Sequence, residues 1–205
     1  MIGELQDVIA GPVSRETESK LKQYAALLLE ENERQNLISR ASVDALWPRH
    51  LLDSAQLLAL GRREARWLDI GSGPGLPGMV LAILGVSRIT LVEPRRLRTD
   101  FLSRCVEKLS LDNVEIVTGK VEQLSGSFDV ITARAVASLE RLFEIGAPLM
   151  TRAGRWVLPK GRSAVKELEQ AQRTWQGTFE LMPSRTDPDA RILVASGVRR
   201  RARRG

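Results

Sequence analysis

The chain has 205 residues, 43% of them hydrophobic, a formal net charge of +6 and a single cysteine. That length fits one domain with a small extension, and one cysteine excludes an internal disulfide and a cysteine-rich metal site. The first ten residues carry Glu4 and Asp7 with no basic stretch before an apolar one, and no window reaches the length of a membrane span. A cytoplasmic, non-membrane protein is expected.

Taken in chain order, residues 16–35 read as an amphipathic helix, with Leu21, Tyr24, Ala25 and Leu28 at i, i+3, i+4 and i+7. A short connection, Asn36 to Ser42, leads to a second helix over 43–60, with Leu51, Ala55, Leu58 and Ala59 on one face. The period then changes. Strand-like runs occur at Trp67–Ile70, Arg88–Glu93, Val114–Thr118, Phe128–Ala133 and Arg155–Leu158, separated for the most part by helical stretches at 78–85, 96–110, 138–147 and 162–175. In the helix over 96–110, Leu97, Phe101, Cys105 and Leu109 recur at i+4, and Cys105 reads as a core thiol. Strands alternating with helices predict an α/β fold with a parallel sheet covered on both faces. Thr178–Met182 and Ile192–Val198 read as an antiparallel hairpin at the sheet edge, giving seven strands and a mostly parallel, Rossmann-like sheet behind an N-terminal helical extension. The organisation expected is an extension over 1–60, a main domain over 61–198 and a tail over 199–205. Five arginines, Arg199, Arg200, Arg201, Arg203 and Arg204, lie in that tail, and without them the body is close to neutral. Clustered arginines suit either a solvated terminus or a flexible arm for phosphate contact, which gains affinity by counterion release.

The densest signal is Leu68-Asp69-Ile70-Gly71-Ser72-Gly73-Pro74-Gly75-Leu76-Pro77-Gly78. A strand running into a glycine turn and out into a helix lets the backbone closely approach a nucleotide-like ligand. Glu93, at the tip of the second strand, is placed to accept hydrogen bonds from ribose hydroxyls. Gly73-x-Gly75-x-x-Gly78 formally satisfies the dinucleotide fingerprint, so an NAD(P)-dependent oxidoreductase is one reading. Three features favour S-adenosylmethionine. Asp69 stands two residues before Gly71, in an acidic-Ile-Gly-x-Gly pattern shown by Rossmann-like methyltransferases, where the acid lies near the methionine amino group. Pro77 offers no N–H where a pyrophosphate would seek helix N-terminal donors. The chain is also short for a dehydrogenase with a second substrate domain. Gly71, Gly73, Gly75 and Leu76 are the expected cofactor-lining residues.

With Gly71 to Gly78, the segments Arg49-His50-Leu51-Leu52-Asp53-Ser54, Asn36-Leu37, Ala133-Arg134-Ala135-Val136-Ala137-Ser138-Leu139 and Lys160-Gly161 give the chain a specific resemblance. It resembles the bacterial glucose-inhibited division protein B family, the small-subunit rRNA guanine-N7 methyltransferases. Ile38 stands where that family usually carries a hydroxyl residue after Asn-Leu, and Pro159 where it often has leucine. The resemblance implies methyl transfer from S-adenosylmethionine to N7 of a guanine in the decoding-region loop of 16S rRNA. The substrate would be 16S rRNA or the small ribosomal subunit, with no metal; a monomer is assumed. It implies that Val121 and Glu122 lie near the adenine. Arg134 would sit in the cofactor pocket, able to pair with the methionine carboxylate, and His50 and Asn36 near the substrate. Arg49 joins Asn36 as an RNA-binding candidate. Lys160, at the end of the fifth strand, is on the ligand-binding edge of an open α/β sheet and is a candidate RNA-phosphate contact, as are Arg199, Arg200 and Arg201. Arg134 and His50 are candidates for positioning the reactants.

Other methylation chemistries lack their residues. Exocyclic amine methylation commonly uses an Asn/Asp-Pro-Pro-aromatic segment where this chain reads Ala133-Arg134-Ala135-Val136, and pyrimidine C5 methylation needs a cysteine nucleophile, whereas Cys105 lies on the wrong helix. Guanine N7 has an in-plane lone pair and no proton, so its methylation needs alignment rather than a general base. The remaining alternatives are a methyltransferase acting on a small molecule or protein, and a non-enzymatic RNA-binding protein of ribosome assembly.

Overall fold

The computed structural model describes residues 2–202. Helix α1 (Ile2–Ile9) precedes α2 (Arg15–Gln35), which starts where the Ser14 side chain accepts the Thr17 N–H at 3.0 Å and ends at Asn36, in the left-handed region at φ 50°. Asparagine tolerates that conformation, so Asn36 serves here as a helix C-cap. The single helix expected over 43–60 is instead broken into α3 (Arg40–Val43), a π-helical turn (Trp47–Leu52), α4 (Asp53–Ala55) and a 3-10 turn (Gln56–Ala59). Pro48 has no N–H for the regular ladder, and the widened turn that accommodates it turns Arg49 and His50 toward the sheet. Leu51, Ala55 and Leu58 are buried as their spacing requires, but Ala59 is exposed.

The remaining elements alternate. They are β1 (Arg66–Ile70), α5 (Gly78–Ile83), β2 (Arg88–Glu93), α6 (Arg96–Lys108), β3 (Val114–Thr118), β4 (Phe128–Thr132), α7 (Leu139–Gly146), β5 (Met150–Lys160), α8 (Ala164–Thr174), β6 (Trp175–Pro183) and β7 (Arg191–Arg200). The sheet order is β3-β2-β1-β4-β5-β7-β6, with β1 to β5 parallel and β7 antiparallel to both β5 and β6. The α/β class, the seven strands and the edge hairpin are those expected.

The period-2 alternation of the strands divides the core in two. Trp67, Ile89, Leu91, Val130, Val157 and Ile192 face α1, α2, α5 and α6, while Leu68, Ile70, Val92, Ile131, Trp156 and Leu158 face α7 and α8. Leu5, Leu21, Tyr24 and Leu28 of the N-terminal helices belong to the first of these clusters, so the extension is built into the main core. In α6, Phe101, Cys105 and Leu109 are buried, but Leu97 is 68% exposed. A strict i+4 series drifts about 40° per step around a 3.6-residue helix, and its first member falls off the core stripe.

β7 extends through Arg200, and its end is paired: Arg200 lies opposite Trp175, with its guanidinium 5.3 Å from the indole centroid and 3.1 Å from Glu144 Oε1. Arg201 donates from its backbone to Thr174 O and from Nε to Gln172 O. The flexible arm expected from Arg199 onward therefore does not begin there, because these arginines complete a strand and seal the end of α8. Arg203 and Arg204 lie outside the described residues.

Candidate active site

The C-terminal ends of β1, β2 and β4 converge on the glycine loop. Its backbone donors are all spent internally. Gly71 and Ser72 donate to Val92 O, Gly73 to Glu93 Oε2, Gly75 and Leu76 to Ser72 O, Gly78 to Asp69 Oδ2 and Met79 to Gly75 O, and Pro74 and Pro77 have no N–H. Between Gly71 and Met79 no N–H is free for a pyrophosphate. The start of α5, where a dinucleotide would place its phosphates, is capped from within by Asp69.

Asp69 is fully buried, with Oδ1 lacking a partner, and burial raises its pKa to about 7 despite the hydrogen bond from the Gly78 N–H and the nearby Ser72 hydroxyl, which itself donates to the Asp69 backbone carbonyl. The sequence reading sets this acid beside the methionine amino group; in the structure it clamps the loop from below. From the other side, Tyr24 Oη of α2 donates to Pro74 O at 2.8 Å. Gly71 needs both its freedom and its size: φ is +66°, and a Cβ there would meet Val136 Cγ2 at 2.7 Å.

Beside the loop is a cavity of about 510 Å³, bordered by Gly71, Gly73, Leu76, Glu93, Arg98 and Arg134, with Leu37 to Ser39 and His50 opposite. The Glu93 carboxylate is held by the Gly73 and Arg95 N–H groups, both at 3.0 Å, and lies 3.7 Å from Arg98 Nη1. Three expected lining residues are absent from this wall. Gly75, at φ +99°, shapes the turn instead, and a Cβ there would collide with Met79 and Leu102. Val121 is buried beneath the 3-10 turn Val121–Gln123, and the exposed Glu122 pairs with Arg141.

A second cavity of about 900 Å³ adjoins the first, bordered by Arg49, Asp53, Lys160, Arg191 and the loop Ser184–Ala190 between β6 and β7. The two cavities share one wall, Arg134-Ala135-Val136, where Ala135 holds φ +55°, a conformation costly for a residue with a Cβ, and Val136 is exposed.

Arg134 ties this wall to the π-helical turn. Its Nη2 donates to Arg49 O at 3.0 Å and meets His50 Nδ1 at 2.8 Å, while Nη1 lies 3.6 Å from Asp53 Oδ2. A guanidinium has no acceptor, so His50 Nδ1 must accept and the imidazole proton resides on Nε2. Burial, with Arg134 and Arg49 close by, lowers the His50 pKa to about 4. His50 is thus a neutral ring whose accepting nitrogen is already used, and it is no general base.

Asp53 Oδ1 accepts from Gln56 Nε2 and Thr186 Oγ1, both at 2.9 Å, and Gln56 Oε1 accepts the Arg185 N–H at 2.9 Å. Buried Gln56 therefore fixes the roof loop of the larger cavity. The sequence reading missed it, although a glutamine within an apolar helical stretch was its one available signal. Lys160 borders the cavity, but its Nζ is held by Glu167 Oε2 at 3.0 Å and Ala137 O at 3.3 Å. Asn36 is exposed, one residue before the cofactor-side wall begins at Leu37. Arg199, Arg200 and Arg201 lie at the opposite end of the sheet, because β7 runs antiparallel to β5 and only its Arg191 end meets Lys160.

Among solved structures, the chain is similar to a MtNAS variant in complex with S-adenosylmethionine (TM-score 0.58, 20% identity, covering 87% of this chain and 75% of that one). It is similar also to M. jannaschii TYW2 in complex with AdoMet (TM-score 0.58, 10% identity, covering 80% and 78%). At these identities the likeness speaks for the fold. Sequence relatives go further. Ribosomal RNA small subunit methyltransferase G of Sphingopyxis alaskensis is 46% identical over 187 residues, 90% of this chain and 80% of the relative. Its namesake from Rhizorhabdus wittichii is 46% identical over 200 residues, 95% and 92%. The family described as GidB, rRNA small subunit methyltransferase G, matches residues 17–184, within which lie the glycine loop, the π-helical turn and the Arg134 wall. The chain belongs to the rRNA small subunit methyltransferase G family.

Proposed function

We infer that this chain transfers the methyl group of S-adenosylmethionine to N7 of a guanine in 16S rRNA, presented as RNA or within the small ribosomal subunit. The observation that carries this reading is the pair of adjoining cavities with a single shared wall, one set against a glycine loop that has no N–H left for phosphate. S-adenosylmethionine has no phosphate and fits such a loop. Gly71, Gly73 and Leu76 would line it and Glu93 would accept from its ribose hydroxyls; Arg134 stands where its carboxylate end could be met. When bound, it supplies an electrophilic methyl carbon on a sulfonium.

The chain's own residues position and exclude water. The loop is held from β1, β2 and α2, Arg134 fixes the π-helical turn, and the base enters from the larger cavity over Ala135 and Val136. The attacking N7 lone pair needs no deprotonation, in keeping with a site whose histidine is neutral and already engaged. A base in a loop, or drawn out of its stack, could reach such a cavity. Glu122 and Val121 remain proposed neighbours of the adenine only if the turn over 121–123 moves toward the cavity.

Labelled S-adenosylmethionine incubated with unmodified small-subunit RNA should yield N7-methylguanosine on nucleoside analysis. Spectral change at 340 nm with NAD(P)H in place of methyl transfer would overturn the assignment. Replacing Glu93 with alanine should weaken binding of S-adenosylhomocysteine by the roughly 1.5–3 kcal/mol of a charged hydrogen bond. Calorimetry on the folded variant checks this, and unchanged affinity would remove Glu93 from the ribose site.

A further inference from the structure

The end of the sheet opposite the two cavities carries a concentration of arginine; Arg66 stacks over Phe128 at 5.8 Å and Arg155 donates to Leu60 O at 3.3 Å, and the others are used by neither the core nor the methyl-transfer site. The strand registers place it. Arg66 opens β1 and lies directly opposite Arg88, which opens β2. In the neighbouring rows, Trp67 pairs with Val130, Val130 with Arg155 and Arg155 with Ser196. Arg152 and Arg199 lie three residues further out on β5 and β7. These arginines therefore share one edge, five strands wide in the order β2-β1-β4-β5-β7, or about 20 Å.

Like charges directly opposite one another on neighbouring strands are destabilising, and while Arg66 is held over Phe128 and by Ser127, folding does not call for Arg88 beside it. Arg88, Arg152 and Arg199 are exposed, and among the described residues their side chains make no hydrogen bond or ion pair. The acid in the middle of the edge offsets little of this: Asp129 is taken up by the Arg66 N–H at 3.1 Å and Thr151 Oγ1 at 3.1 Å. Between β5, β7 and β6 the same edge opens into a groove of about 430 Å³, lined by Arg152 and Arg155 with the hydroxyls of Thr178 and Ser196 and a single acid, Glu180. The ladder is irregular at two places here, between Phe128 and Val130 and between Gln176 and Thr178.

We propose that this arginine edge is a second RNA-binding surface, which holds the phosphodiester backbone of an rRNA segment distinct from the one carrying the target guanine. The inference rests on the reading of the chain as an rRNA methyltransferase. Arg88, Arg152 and Arg199 without partners, with the groove's hydroxyl donors beside Arg152, match phosphate oxygens and their condensed counterions. An anionic membrane is the weaker match. The exposed large apolar side chains among the described residues, Leu97, Val136 and Val165, begin or precede helices that follow strand C-termini, at the other end of the sheet. None is available at the arginine edge to enter a bilayer. From Lys160 back to Arg152 along β5 is roughly 26 Å of extended chain, so one short stem-loop cannot occupy both ends. Two contacts that far apart would be satisfied together only by a large folded RNA or a ribonucleoprotein particle.

The test is the triple variant Arg88→Gln, Arg152→Gln, Arg199→Gln, chosen because none of the three side chains has a partner among the described residues. Melting temperature and S-adenosylhomocysteine affinity should match the unsubstituted chain. Binding to full-length small-subunit RNA should lose salt dependence, the slope of log K against log salt shrinking by about 2–3 for three phosphate contacts. KM for that RNA should rise with kcat unchanged, whereas a stem-loop shorter than the sheet and carrying the target guanine should bind both proteins equally. An unchanged salt slope on full-length RNA, with methyl transfer intact, overturns the second surface and leaves the functional reading standing. Equal losses on the short stem-loop also overturn it, because the arginines would then serve the first site. Arginine-dependent binding to phosphatidylserine vesicles without an effect on RNA would replace RNA by lipid. Failure of the unsubstituted chain to methylate any small-subunit RNA is a different result, and it overturns the functional reading itself.

Discussion

Replacing Arg134 with methionine should lower kcat/KM for methyl transfer by about two orders of magnitude, the usual cost of misplacing reactants by an ångström in a reaction that runs on alignment. Arg134 touches Arg49 O, His50 Nδ1 and, at ion-pair distance, Asp53, and it stands in the wall between the two cavities. Methionine keeps the apolar stem and removes every donor. The π-helical turn then loses its tie to the end of β4, and partly buried acceptors are left unpaired at a cost of about 1–3 kcal/mol in stability. Arg134→Lys should recover little, because an ammonium is a point charge and cannot span three partners in different directions. A second readout separates positioning from plain destabilisation. The Arg134 charge is one of the causes that hold the His50 pKa near 4, so its removal should raise that pKa, visible as the titration of a single imidazole by NMR. Wild-type kcat/KM together with an unmoved His50 titration would show that Arg134 merely fills space.

The second large effect concerns pH and Asp69. Its carboxyl titrates near 3.8 in the unfolded chain and at about 7 when folded, because full burial disfavours the charged form. Between those values the native state holds a proton that the unfolded state has released, so unfolding releases a proton and stability falls as pH rises through this window. Below it there is no penalty from Asp69, and above about pH 7 the penalty is complete, on the order of 4 kcal/mol for a shift of roughly three units. Asp69→Asn keeps a carbonyl oxygen for the Gly78 N–H and cannot ionise. The stability of the unsubstituted protein relative to this variant should therefore decline from about pH 4 to 7 and level off above. Denaturant unfolding of both proteins at about pH 4.5, 6 and 8, spanning that window, measures it. A constant difference across the three would mean that Asp69 is charged throughout, stabilised by something other than the Gly78 hydrogen bond.

These two sites differ in how far they can be read from the chain. Asp69 and the glycine loop belong to one contiguous segment, Leu68 to Gly78, with a local logic: an apolar strand, glycines for the turn, prolines that deny N–H groups and a helix beyond. What the local pattern could not disclose is that Asp69 turns inward, since the acceptor it provides is demanded by Gly78 nine residues on. Arg134 and His50 are 84 residues apart, and their meeting depends on β4 lying beside β1 in a given register and on the π-helical turn that Pro48 introduces. Over 43–60 the sequence displays a helical period and, by resemblance, the Arg49-to-Ser54 segment, but not the contact that joins His50 to Arg134. The same holds for Gln56 with Thr186, and for Tyr24 with Pro74, where a side chain read as core carries its hydroxyl to the cofactor loop.

By itself the sequence determined the alternation of strands and helices, hence an α/β sheet with an edge hairpin, the place and character of the nucleotide loop, and the family, because each of these resides in short-range periodicity or in contiguous motifs. Only the tertiary structure decided how long the strands run, which face of α6 is buried, and where the arginines go. β5 extends back over Thr151 to Gly154, a stretch with no apolar alternation, because pairing with neighbours supplies hydrogen bonds that the residues themselves do not advertise. Leu97 lies outside because helix geometry rotates it away. Arg199 and Arg200, read along the chain as part of a free tail, become the end of β7 at the far end of the sheet, since antiparallel pairing with β5 and β6 carries β7 away from the site it first touches at Arg191.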